Sequence, residues 1–73
     1  MTFAELRKGI GLKQEDIARH VSIDRSSVAR WETGISQPTI DKIPLLAKLL
    51  GVTEGEIIAA IAASKNEKQE DTA

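Results

Sequence analysis

The chain has 73 residues, no cysteine and a formal net charge of −1. This length allows one small core, and the lack of cysteine excludes disulfides and thiolate metal sites. No apolar run approaches the roughly 18 residues that a membrane helix needs, and no basic segment followed by an apolar run marks a secretion signal. We therefore expect one cytoplasmic domain with no membrane partner.

The first predicted helix begins at Thr2, because Thr2 and Glu5 have the spacing of a capping box. Gly9 and Gly11 end it, since glycine near a helix end commonly adopts the positive φ that stops the helix. After a link through Leu12, a second helix is predicted from about residue 13 or 14 to residue 21, with acidic residues in its first turn.

A third helix is predicted to begin after Asp24, a good N-cap residue, and to end at Gly34. Only about four residues separate it from the second helix, and so short a connection forces the two helices to cross steeply. The small Ala18 lies where a large side chain would hold them apart. Ser22, in the turn, is expected to reach the left-handed region of φ and ψ at some cost.

Two further helices complete the predicted architecture. A fourth helix that starts near Asp41 puts Pro44 in its first turn, where the missing N–H group matters little. Thr53 and Glu56 form a second capping box, which starts a fifth helix over residues 54–63. No segment alternates apolar and polar residues as a half-buried strand would.

The third helix has two distinct faces, because residues spaced by three or four lie on the same side of a helix. Val28 and Trp31 form an apolar face, and Trp31 at this spacing is expected to be a core residue. The outward face carries Arg25, Ser26, Ala29, Arg30 and Thr33. An outward face of this composition is typical of a helix that enters a DNA groove.

The stretch LKQEDIARHVSIDRSSVARWETGISQPTI, residues 12–40, resembles the helix-turn-helix unit of the Cro and phage-repressor (XRE-type) family. The likeness is carried by Gln14, Ala18, the W-E-x-G of residues 31–34, and an apolar set comprising Ile17, Val21, Ile23, Val28 and Trp31. It extends through LAKLLGVTEGEI, residues 46–57, and covers residues 2 to about 62. Ser22 stands where the family often has glycine.

The resemblance implies an all-α, compact five-helix bundle of the λ-repressor-like DNA-binding type, with the helix-turn-helix unit at helices 2 and 3. The domain would comprise residues 1–63. Residues 64–73, SKNEKQEDTA, contain no large apolar residue and are expected to form a disordered polar tail. The implied partner is double-stranded DNA, and the implied function is sequence-specific regulation of transcription, with repression by occupying operator DNA as the simplest mechanism.

The family's base-reading positions fall on Arg25, Ser26 and Arg30. Arginine bonds bidentately to O6 and N7 of guanine, Ser26 can donate or accept, and Ala29 on the same face can touch a thymine methyl group. The alternative is that both arginines are ordinary solvated charges, with Arg25 contacting only phosphate. Because the net charge is close to zero, DNA affinity would come from placed groups rather than from a strong overall field.

The family also implies contacts to the DNA backbone. Gln14 opens the second helix, so its amide groups can meet a phosphate oxygen. The other candidates for phosphate contact are Lys13, Arg19, Ser36 and Gln37, together with the loop at Ile35. Lys13 and Arg19 are equally well interpreted as surface residues, and Gln14 as a plain helix-start glutamine.

Two further groups of residues are assigned structural roles. Family members often link the glutamate at the position of Glu32 to an arginine of the first helix, and Arg7 is at the matching position. Ile57, Ile58 and Ile61 exceed what one face of a terminal helix needs for a small core. One side is expected to pack on the fourth helix, and the other to join a second copy in a homodimer that forms at least on DNA.

Nothing in the sequence favours an enzyme. The single histidine, His20, makes neither a metal site nor a catalytic pair, and Ser26 and Ser27 have no neighbouring base to activate them. No glycine-rich phosphate loop is present. We expect no cofactor, metal or small-molecule ligand. The competing hypothesis, favoured by the near-neutral charge, is an antitoxin- or adaptor-like protein-interaction module on the same fold.

Overall fold

The structure is a computed structural model that describes the backbone of residues 1–72 and the side chains of residues 1–65. The described residues form five α-helices and one short 3₁₀ turn, Ile40–Lys42, and contain no strand. The helices are α1 Phe3–Gly9, α2 Gln14–His20, α3 Arg25–Glu32, α4 Ile43–Leu50 and α5 Glu54–Thr72. The predicted all-α fold with five helices is therefore confirmed.

The core lies where α5 packs against α1, α3 and α4, with α2 and α3 packed on each other. Phe3 and Trp31 meet edge to face in its centre, with ring centroids 5.9 Å apart and planes at 89°. Such aromatic pairs stabilise a core beyond the area they bury. Trp31 is thus a core residue, as predicted. The other buried apolar side chains are Ile17, Ala18, Val21, Val28, Leu46, Ala47, Leu50, Ile57, Ala60 and Ile61.

The helix starts follow the predicted capping chemistry. In both capping boxes the threonine Oγ1 accepts from the glutamate N–H and the glutamate carboxylate accepts from the threonine N–H, with Thr2 and Glu5 at α1 and Thr53 and Glu56 at α5. Pro44 is the second residue of α4, within the first turn as predicted, and the preceding 3₁₀ turn leads the chain into the helix.

The turn between α2 and α3 has the left-handed backbone that was predicted at Ser22, with φ of 61°. The N–H of Ile23 then donates to the carbonyl of Ala18 at 2.9 Å, which closes the turn. Serine adopts this conformation less readily than glycine. The geometry of the turn is therefore kept in spite of the departure from the family's usual residue.

The carboxyl-terminal helix differs from its prediction. α5 extends beyond residue 63, and Ser64 is only 2% exposed. The Ser64 hydroxyl accepts from the Phe3 N–H at 3.2 Å and donates to the Ala60 carbonyl at 3.0 Å. Ser64 therefore belongs to the domain rather than to a tail. The disorder predicted for the tail concerns mostly residues 66–73, which lie outside the described side chains, and it stays a prediction there.

The three isoleucines of α5 that were predicted to form a dimer interface differ in their exposure. Ile57 has no exposed surface and Ile61 is 6% exposed, because both side chains fill the core of their own chain. Ile57 therefore has no surface to offer a second copy, and Ile61 offers very little. Ile58 points to solvent and is 59% exposed. Of the three predicted interface residues, Ile58 alone has a largely exposed side chain, and the interface itself stays a prediction.

Candidate DNA-binding surface

The orientation of α3 is fixed by its buried side. Val28 is fully buried and Trp31 nearly so, and both side chains pack into the core. The side chains of Arg25, Ser26 and Arg30 are consequently exposed on the opposite side, whereas Ala29 is half-buried. These four predicted base-contacting residues therefore lie on one helix that is anchored through its other face.

Asp24 precedes α3 in an extended conformation, as an N-cap residue does. Its carboxylate was expected to accept from the backbone amides of the helix, but it makes no such hydrogen bond. It accepts instead from two serine hydroxyls, those of Ser26 and Ser27, the latter at 2.6 Å. These hydrogen bonds, with a smaller contribution from the charge of Arg30, hold the pKa of Asp24 below its usual range. The Asp24 carboxylate thus orients two serine hydroxyls and does not cap the backbone of α3.

Ser27 connects that carboxylate to an arginine of the outward face. Its hydroxyl donates to Asp24 and accepts from Nη2 of Arg30 at 3.1 Å. Sequence reasoning treated Ser27 only as an unlikely nucleophile and missed this role. The signal was available, because residues 24, 27 and 30 are spaced by three and lie one turn apart on the same side of a helix.

The side-chain amide of Gln14, a predicted phosphate contact, is hydrogen-bonded within the protein. Its Nε2 donates to Oε1 of Glu32 at 2.9 Å, and its Oε1 accepts from Nη1 of Arg25 at 3.4 Å. Both ends of the side-chain amide are therefore engaged within the protein. The second hydrogen of Nε2 remains available to donate to a phosphate oxygen.

Glu32 is also the partner of Arg7. Nε and Nη2 of Arg7 donate to the two carboxylate oxygens at 2.6 and 3.1 Å, and Nη1 donates to the Leu12 carbonyl at 2.9 Å. The two side chains are only 11% and 8% exposed. Arg7 and Glu32 thus form a largely buried, bidentate ion pair that joins α1 to α3.

The remaining candidate residues lie around the edge of this surface. Lys13 and Arg19 are exposed, and Arg19 is paired with Asp16 at 2.8 Å. In the loop after α3 the N–H groups of Ile35 and Ser36 donate to the Arg30 carbonyl at 3.0 and 3.4 Å. These two amides therefore close the end of α3, and the phosphate contact predicted for Ser36 concerns its side chain.

Other kinds of site have little support in the described part of the chain. Among those residues no three histidine, cysteine, aspartate or glutamate side chains are grouped as a metal ion requires. No helix within residues 1–72 combines the length and the apolar composition that a bilayer crossing needs.

An open groove lies between the loop after α3 and α5, lined by Gln37, Pro38, Ile43, Ile58, Ile61, Ala62 and Lys65.

Two comparisons with known proteins found similar sequences. The model of the helix-turn-helix family matches residues 3–57, from the start of α1 into the first turn of α5. The HTH-type transcriptional activator BcrR of Enterococcus faecalis is 29% identical over 55 residues, which are 75% of this chain and 27% of that protein. The chain thus spans about a quarter of the length of this curated relative. No solved structure matches the chain significantly.

Proposed function

The chain belongs to the helix-turn-helix family, and from this premise we propose that it is a sequence-specific regulator of transcription that reads double-stranded DNA with α3 in the major groove. The observation that carries the proposal is the exposed set Arg25, Ser26 and Arg30 on a helix whose opposite face is locked into the core. A rigid helix with outward hydrogen-bonding side chains fits the width of the major groove.

The two arginines are better suited to recognising bases than to attracting DNA of any sequence. Guanidinium groups match O6 and N7 of guanine bidentately, and each such pair discriminates against a wrong base by about 1–3 kcal/mol. The overall charge of −1 supplies no strong field. We propose that four residues flanking α3 contact phosphates through their side chains: Lys13 before α2, Arg19 on α2, and Ser36 and Gln37 after α3.

A homodimer is the proposed form on DNA, with half-sites about 34 Å apart. The proposal rests on Ile58, which is 59% exposed beside the groove that continues to Ile43 and Pro38. Replacing Ile58 by glutamate should abolish the dimer in sedimentation experiments, whereas Ile10→Glu, at another exposed isoleucine, should not. A wild-type chain that sediments as a monomer both alone and on DNA contradicts the dimer.

Repression is the proposed consequence of binding, because occupation of a promoter needs only the α3 surface. Activation is the second candidate, since the matched part of an activator is similar to this chain, and Glu15 is an exposed acid on α2. Transcription in vitro separates the two. A selected site placed within the promoter should lower transcript yield, and raised yield from a site placed upstream would favour activation.

Selection from a random duplex pool tests DNA reading directly. The wild-type chain should enrich a motif, and Arg30→Ala should relax it at one position. Arg19→Ala, which removes a proposed phosphate contact, should weaken binding to all sequences about equally and reduce the salt dependence by about one unit of slope. Lys48→Ala removes an exposed charge from α4 and serves as the control that leaves binding unchanged.

The outcome at low salt decides the proposal, because phosphate attraction is strongest there. Failure of the folded wild-type chain to enrich any motif at low salt contradicts sequence-specific binding. It would favour the protein-interaction hypothesis, for which a pull-down is the next experiment. An enriched motif that Arg30→Ala leaves intact would instead refute the assignment of Arg30 as a base-reading residue.

A further inference from the structure

Three hydrogen bonds at the start of α3 form one continuous chain. Arg30 Nη2 donates to Ser27 Oγ at 3.1 Å, Ser27 Oγ donates to Asp24 Oδ1 at 2.6 Å, and Ser26 Oγ donates to Asp24 Oδ2. One carboxylate therefore accepts, directly or through Ser27, from two of the residues proposed to read bases. Asp24 itself is exposed and carries a negative charge at the start of the helix proposed to bind DNA.

We propose that Asp24 is a specificity-determining residue, which fixes Ser26 as a hydrogen-bond acceptor toward the DNA and positions Arg30 through Ser27. This inference rests on the proposed function, because it concerns how the same surface distinguishes bases. It assigns a role to a residue that contacts no base itself.

The first part of the inference follows from the number of hydrogen bonds that a serine hydroxyl can donate and accept. A serine hydroxyl has one hydrogen and two lone pairs. The hydrogen of Ser26 is directed to Asp24, so only lone pairs remain for the DNA. In the major groove the amino groups of cytosine (N4) and adenine (N6) are the donors, whereas guanine and thymine present acceptors. Ser26 is therefore expected to select cytosine or adenine on the strand it faces.

The second part concerns the guanidinium of Arg30. The hydroxyl of Ser27 can accept from Arg30 in a defined direction because its own hydrogen is directed to Asp24. An arginine has five N–H donors, so one bond to Ser27 leaves enough for a bidentate contact to guanine. Holding the side chain in one conformation before binding lowers the entropy lost on binding.

The charge of Asp24 is expected to lower the affinity for DNA of any sequence. A carboxylate near the DNA opposes the phosphates and reduces sequence-independent attraction. Its removal should therefore leave unchanged or raise the affinity for unrelated duplex, while the preference between bases falls. A residue with a merely structural role would lower both affinities together.

Asp24→Asn is the test variant, because asparagine has the same size and is an equally good N-cap residue. It keeps one acceptor oxygen where the carboxylate has two, so at least one serine hydroxyl is released. The measurements are motif selection and dissociation constants on the selected and an unrelated duplex. We expect discrimination at the positions read by Ser26 or Arg30 to fall about three- to tenfold, the range for loss of one hydrogen bond.

Two further variants make the result specific. Asp41→Asn is the matched control, since Asp41 is also exposed and accepts a hydroxyl hydrogen bond, from Thr39 at 2.5 Å, but lies in the 3₁₀ turn before α4. It should leave the motif unchanged. Ser27→Ala removes the bonds of Ser27 to Asp24 and to Arg30 but keeps the bond of Ser26 to Asp24, so it should relax the position read by Arg30 and spare the one read by Ser26.

The outcomes separate this inference from the proposed function. If the wild-type chain selects a motif and Asp24→Asn selects the same motif with equal discrimination, the role of Asp24 is refuted while DNA reading stands. Equal loss of affinity for selected and unrelated duplex, together with a lower melting temperature, also refutes it, in favour of a structural role. If the wild-type chain selects no motif, the proposed function fails and the inference fails with it.

Discussion

Removal of the Glu32 carboxylate is the most informative perturbation of the fold. The Glu32 side chain is 8% exposed and accepts three hydrogen bonds, from Nε and Nη2 of Arg7 and from Nε2 of Gln14, at distances of 2.6, 3.1 and 2.9 Å. In Glu32→Ala the Arg7 guanidinium stays in a site where its side chain is only 11% exposed. It keeps its bond to the Leu12 carbonyl but loses its counter-ion.

The expected loss of stability is large relative to the total. Breaking a buried ion pair by deleting one partner costs about 3–5 kcal/mol, because the other charge is left uncompensated. The retained bond of Arg7 to Leu12, and its residual exposure, reduce this to about 2–4 kcal/mol. A domain of this size has a free energy of unfolding of about 4–11 kcal/mol. At about 4–8 °C per kcal/mol, we expect the melting temperature to fall by about 8–32 °C.

Thermal and urea denaturation, followed by circular dichroism, measure the effect. Glu15→Ala, at an exposed glutamate of α2, is the control and should stay within about 0.5 kcal/mol of the wild type. DNA affinity is measured at a temperature where the variant is folded, and the change in binding free energy should be smaller than the change in stability. A melting temperature that Glu32→Ala leaves unchanged would refute the reasoning that the buried carboxylate is needed for the fold.

Three further outcomes are expected. Ile57→Ala should lower the free energy of unfolding by about 2–5 kcal/mol in urea denaturation because Ile57 is fully buried, while Ile58→Ala changes it by less than about 0.5 kcal/mol. Ser64→Ala should cost about 1–3 kcal/mol and speed hydrogen exchange at the Phe3 amide, which loses its acceptor. The melting temperature should fall on acidification below about pH 4.5, because carboxylates whose pKa is lowered in the folded chain stabilise it only while ionised; they are Glu5, Asp16, Asp24 and Asp41.

The features that sequence predicted well are those governed by local chemistry. A capping box requires only two residue types three positions apart, and Thr53 and Glu56 satisfy that rule at the start of α5. Pro44 had to fall in the first turn of α4, since elsewhere it would break a helical hydrogen bond. The burial of Trp31 followed from its spacing with Val28 along one helix face.

The features that sequence did not predict depend on contacts between distant residues or on a choice among partners. The burial of Ser64 depends on Phe3, 61 positions earlier in the chain, whose amide needs an acceptor. Local composition around Ser64 is polar, which favoured a tail. Asp24 had several donors within reach, and residue type alone could not show that it would accept from Ser26 and Ser27 rather than from the backbone amides of α3.

The polar residues that hold the fold and those proposed to read DNA are not separate sets. Gln14 donates to Glu32, the partner of Arg7, and accepts from Arg25 on the outward face. A shift of the buried ion pair would therefore move the group that orients Arg25. Because hydrogen bonds in such a network influence one another, Glu32→Ala should alter the base preference at the position of Arg25 and leave that of Arg30, which is tied through Ser27 to Asp24, unchanged. With a net charge of −1, discrimination between sequences must come from such positioned groups rather than from the overall field.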